Sequence, residues 1–136
     1  MFLHFLQSRE HKKAFLELAQ VVAQADGFVS GKERGYLHTF MDEMNMSQDL
    51  QVISEARKLP DIVEDLKEDH VKDIVFMEIL LLMYVDGDYN DEEKQIVKDL
   101  KELFGFSDEK YEAFRSWVIR MDQLKIEGMK LILNTK

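Results

Sequence analysis

The fold class predicted for this chain is all-α, a single bundle of about seven to eight helices, and three observations predict it. Apolar residues recur at steps of three and four along nearly every segment, no period-two run competes with them, and a helix-turn-helix unit occurs twice. The chain has 136 residues, 46% of them hydrophobic, so residues 1–136 suit one domain with its own core. With no cysteine, disulfide scaffolds and cysteine zinc sites are excluded.

Taken in order, the first helix spans about Arg9 to Ala25. Ser8 is its cap and Phe15, Leu18, Ala19, Val22 and Ala23 its buried stripe. A second runs from about Gly31 to Met44, capped by Ser30, with Tyr36, Leu37, Phe40, Met41 and Met44 on one face. Ser47 caps a short helix carrying Leu50, Val52, Ile53 and Ala56, and Pro60 separates it from a turn at Ile62, Val63 and Leu66. From about His70 to Val85 the apolar character is densest, which marks the most buried helix. Its longest pure run, Ile79 to Val85, is seven residues, too short to span a bilayer. Further helices run from about Asp91 to Phe104 and from about Asp108 to Met121. A C-terminal helix over about 122–134 carries Leu124, Met129, Leu131 and Ile132, and is expected to dock on its own domain or on a partner.

Sliding the chain on itself by 60 residues aligns Asp26-Gly27-Phe28-Val29-Ser30-Gly31-Lys32-Glu33 with Asp86-Gly87-Asp88-Tyr89-Asn90-Asp91-Glu92-Glu93. The same offset pairs Leu37 with Val97, Asn45 with Gly105 and Ser47 with Ser107. Each pair keeps one structural role, since Asn and Gly best tolerate the left-handed conformation that closes a helix, and each Ser caps the next. Repeat 1 therefore covers about 9–58 and repeat 2 about 69–118, and two such hairpins are expected to pack as a pseudo-twofold pair.

The acidic turns admit two readings. In the architectural one, Gly27 and Gly87 end a helix, Ser30 and Asn90 cap the next, and Glu33 and Glu93 complete capping boxes. In the other, Asp86, Asp88, Asn90 and Glu93 supply hard oxygens to a divalent cation such as calcium, with Asp26 and Glu33 as the poorer counterpart. A full EF-hand is excluded, since Asp91 stands where its glycine belongs and Val97 where its bidentate glutamate belongs.

Other chemistry is sparse. His4, His11, His38 and His70 are scattered without zinc-binding spacing, and no phosphate loop, nucleophile elbow or cysteine nucleophile is present. A non-enzymatic role is expected. The formal charge of -9 disfavours nucleic acid and anionic membranes, whose attraction depends on lysine and arginine. The apolar start lacks a basic n-region, so a cytoplasmic location is expected.

The two turns, Ala23 to Glu33 and Val85 to Glu93, resemble the tellurite-resistance TerB-like family across about residues 9 to 118. That resemblance implies a helical bacterial domain, divalent metal at Asp26, Glu33, Asp86, Asp88 and Glu93, and an interaction role in stress-response or chaperone-linked complexes. It implies no catalysis. A protein partner is expected, with a homo-oligomer among the options. The rival expectation is a metal-independent adaptor whose acidic turns are helix caps only.

Overall fold

The computed structural model describes residues 2–23, 39–45, 57–83 and 91–133. A 3-10 turn at Leu3–Phe5 leads into α1 (Arg9–Ala23); α2 follows over 39–43, then α3 (Leu59–Glu64), α4 (Asp69–Met83), α5 (Asp91–Phe104) and α6 (Asp108–Leu133). Among the described residues there is no strand, so the all-α expectation holds. The helix expected from Ser47 to Ala56 lies outside the described residues, as do the two glycine turns.

Local chemistry sets the element ends. Ser8 Oγ accepts from the N–H groups of Glu10 (3.2 Å) and His11 (3.5 Å), capping α1. Gly105 takes φ 74° after α5; its N–H bonds to the Glu102 carbonyl (3.1 Å) and the Phe106 N–H to the Lys101 carbonyl (3.0 Å). These two bonds satisfy carbonyls that the helix end would otherwise leave open. Asn45 closes α2 in the same left-handed region, at φ 56°, and Ser107 Oγ accepts from the Lys110 N–H at 3.1 Å to start α6. Pro60 sits in the first turn of α3, where its missing N–H costs no helical hydrogen bond.

The centre of the bundle is α4, which packs on the 3-10 turn, α1, α5 and α6. Val71, Val75, Phe76, Ile79, Leu80, Leu82 and Met83 are buried, which is why this helix is apolar on almost every side. The Phe76 ring lies 5.0 Å from Phe106, 6.0 Å from Phe114, 6.1 Å from Tyr111 and 6.4 Å from Phe104, mostly edge to face, joining α4, α5 and α6. On the α1 side, Phe15 meets Phe40 of α2 edge to face at 5.3 Å. Met41 and Met44 are buried here, so these methionines fill the core.

The C-terminal boundary differs from expectation. No break occurs at Met121; α6 is one helix of 26 residues from Asp108 to Leu133, about 39 Å long. Nothing in Met121-Asp122-Gln123 interrupts helical hydrogen bonding, and the only glycine within the helix, Gly128, costs about 1 kcal/mol without terminating it. The separate helix expected over 122–134 is therefore the distal half of α6.

Candidate functional site

The acidic start of α5 comes first because the sequence singles it out. Of the six expected ligands, only Glu93 lies within the described residues, half-buried in the first turn of α5; Asp26, Glu33, Asp86, Asp88 and Asn90 lie outside them. Asp91 is almost fully exposed, with Lys94 at 3.9 Å. Three acids in the first turn suit the positive end of the helix dipole. Among the described residues no group of three or more His, Asp or Glu side chains is arranged to hold a metal. His38 also lies outside them.

Two buried carboxylates that sequence reasoning passed over have structural work. Glu17 on α1 is only 3% exposed and takes a fork from Arg57, with Nη2 at 2.8 Å from Oε1 and Nε at 3.0 Å from Oε2. The same guanidinium reaches Asp65 at 2.8 Å. Hydrogen bonding to Glu17 first, and to Asp65 second, holds the Arg57 pKa above its ordinary value despite some desolvation. Glu78 on α4 is 2% exposed, and its Oε1 accepts the Phe2 N–H at 2.5 Å. Beside it Glu43 accepts the Leu3 N–H at 2.9 Å and faces His4 Nδ1 at 3.6 Å. Burial pushes the Glu43 pKa up. Hydrogen bonding and charge from the chain's amino end, with the Leu3 and His4 contacts, outweigh that and leave it lowered. Glu78 and Glu43 together clamp the first turn of chain onto the bundle. The available signal was a lone glutamate inside an apolar stretch: Leu16-Glu17-Leu18 and Met77-Glu78-Ile79.

Between α5 and α6 lies an open groove of about 530 Å³. Lys94, Lys98, Lys101 and Arg115 line it, but Lys101 pairs with Asp108, Arg115 with Glu112 (3.5 Å) and Lys94 with Asp91 (3.9 Å), which offsets most of its positive charge. Nearby, the Lys110 ammonium contacts Asp73 at 2.7 Å and lies 4.4 Å from the Phe106 ring centre. Asp73 Oδ1 accepts no well-directed hydrogen bond, so this contact is an ion pair beside an aromatic face.

The largest departure from a closed globule is the distal half of α6. Leu124 (62%), Ile126 (41%), Met129 (53%), Leu131 (82%), Ile132 (76%) and Leu133 (78%) are all exposed. From Asp122 onward the helix extends about 18 Å, and at about 100° per residue these side chains point to several sides of it. Its base is anchored: Val118 is 1% exposed, and the Trp117 ring meets the Phe2 ring at a tilt, with centroids 5.7 Å apart. No helix among the described residues is long and apolar enough to cross a membrane.

No family model, curated protein or solved structure matches this chain. The functional reading therefore rests on its own residues. What the structure adds to the sequence is the anchoring of one end of α6 and the exposure of the other, an arrangement suited to binding another apolar surface.

Proposed function

We propose that this protein is a non-enzymatic helical interaction module whose docking element is the distal half of α6, and whose partner offers an apolar, helix-accepting surface. The observation that carries this reading is the set of six large apolar side chains, 41–82% exposed, distributed around a helix whose first half is held by the bundle. Keeping them in water is unfavourable, so a partner that covers them gains the hydrophobic term without having to fold the helix first. The test places a photo-crosslinking residue at Leu131 and, as control, at Glu109, which is exposed near the base of the same helix. Adducts formed from position 131 in cells and not from position 109 support the reading; none from 131 refutes it.

The resemblance to TerB-like domains adds a second element, a divalent cation held in the second acidic turn by Asp86, Asp88, Asn90 and Glu93, and the pseudo-twofold relation of the hairpins belongs to the same reading. Its support is that the equivalent positions Asn45 and Gly105 both take left-handed backbone and that α5 opens on three acids. Titration with calcium, magnesium and zinc followed by amide NMR is expected to give saturable shifts from Gly87 to Glu93. Silence there at millimolar metal would leave the turn as a helix cap only.

A further inference from the structure

The exposed half of α6 carries a pattern that selects one kind of partner. Trp117, Met121, Leu124, Gly128 and Leu131 recur at steps of four, three, four and three, the spacing of a seam between two helices. The seam is displaced from the side of α6 that faces the core, since Val118, 1% exposed, marks that side and Trp117 lies one residue, about 100°, around the helix. Trp117 is half-buried at the edge of the bundle, while Leu124 and Leu131 lie beyond it at 62% and 82% exposure. Gly128 leaves a gap in the row, and a Cβ built there meets nothing within 4 Å. One chain thus presents a large ring and, eleven residues later, a gap on the same row.

We propose that the partner is a second copy of this chain, with the two α6 helices antiparallel and the Trp117 ring of each seated over Gly128 of the other. This rests on the reading of α6 as a docking element. Two observations choose this occupant. The antiparallel register that sets Trp117 against Gly128 also sets Met121 against Leu124, and brings Arg120 beside Glu127 of the opposite copy twice by symmetry, whereas a parallel pair would place Arg120 against Lys125. Residues 120–133 hold Arg120, Lys125 and Lys130 against Asp122 and Glu127, so this helix is a place where two chains of net charge -9 can approach without mutual repulsion.

Sedimentation velocity on the full chain, from about 1 to 300 μM, reads the proposal. The expected result is a monomer–dimer equilibrium that Leu131→Asp weakens by about 100-fold or more, while circular dichroism of the monomer stays unchanged. Gly128→Leu raises helix propensity yet fills the gap, so it is expected to weaken the dimer about 10-fold without loss of folding. Arg120→Glu and Glu127→Arg singly are expected to weaken it several-fold, and the double exchange to restore it to within about 3-fold. A chain that stays monomeric to the top of the range overturns the proposal, as does a dimer indifferent to Gly128→Leu or to the charge exchange. The crosslink from position 131 separates the two readings. Adducts to another protein with a monomeric purified chain refute self-pairing and leave the docking reading standing; no adduct and a monomer end both.

Discussion

Replacing Arg57 by alanine should expose how far the Glu17 carboxylate depends on its partner. Glu17 is buried on α1, its side chain 5% exposed, and Arg57 supplies it with two side-chain hydrogen bonds at 2.8 and 3.0 Å and a longer one from its backbone N–H at 3.4 Å, across 40 residues of sequence. Removing one member of a buried ion pair commonly costs about 3–5 kcal/mol, because the remaining charge is left without its solvent or its partner. Arg57 is itself 41% exposed, so water can follow into the space it vacates. The expectation for Arg57→Ala is thus the lower end, about 3 kcal/mol, or a fall of about 10 °C in Tm for a chain of this length. Urea denaturation at pH 7 measures it. A second variant isolates the cause: with Glu17→Leu already in place, Arg57→Ala should cost less than about 1 kcal/mol, since no buried charge remains to be orphaned. A loss below about 1 kcal/mol in the wild-type background, or the same loss in both backgrounds, would refute the reasoning.

Three further outcomes follow from the same structure. Glu43 has its pKa lowered below the ordinary 4.5, so its contribution to stability is complete above that value and is lost as pH falls through the lower folded value. Glu43→Gln should therefore flatten the stability profile below about pH 4.5, as thermal melts across an acid series will show. Phe76→Ala, which empties the centre of a ring of four aromatic side chains, should cost about 3–5 kcal/mol in chemical denaturation. Gly105→Ala meets no steric obstacle, so its cost should be that of the φ 74° backbone alone, about 1–2 kcal/mol; a neutral result would show that the left-handed closure of α5 is not retained in solution.

Much of the bundle could be read from residue spacing. Phe15, Leu18, Ala19 and Val22, expected on one stripe of α1, are all buried, and so are Phe40, Met41 and Met44 on α2. Caps and closures were legible for the same local reason. A serine oxygen or a left-handed glycine satisfies backbone groups within a few residues of itself, so Ser8, Ser107 and Gly105 announce their roles without knowledge of the remaining chain. The acidic turns were equally conspicuous as sequence. Of their proposed ligands, the described residues include Glu93 alone.

Sequence by itself determined the class of fold, the stripes that form the core and the chemistry at the helix ends described, because each depends on neighbours three or four residues away. The tertiary structure decided what those local rules leave open. Glu17 and Glu78 read as misplaced charges in apolar runs until Arg57 and the Phe2 N–H arrive from 40 and 76 residues away. The distal half of α6 reads as one more amphipathic helix, expected to pack on its own domain or on another. Only the placement of α4 and the 3-10 turn shows which part of it is covered. Burial is a property of where elements meet, and that is why Val118 is core whereas the large apolar residues from Leu124 onward stay exposed on the same helix.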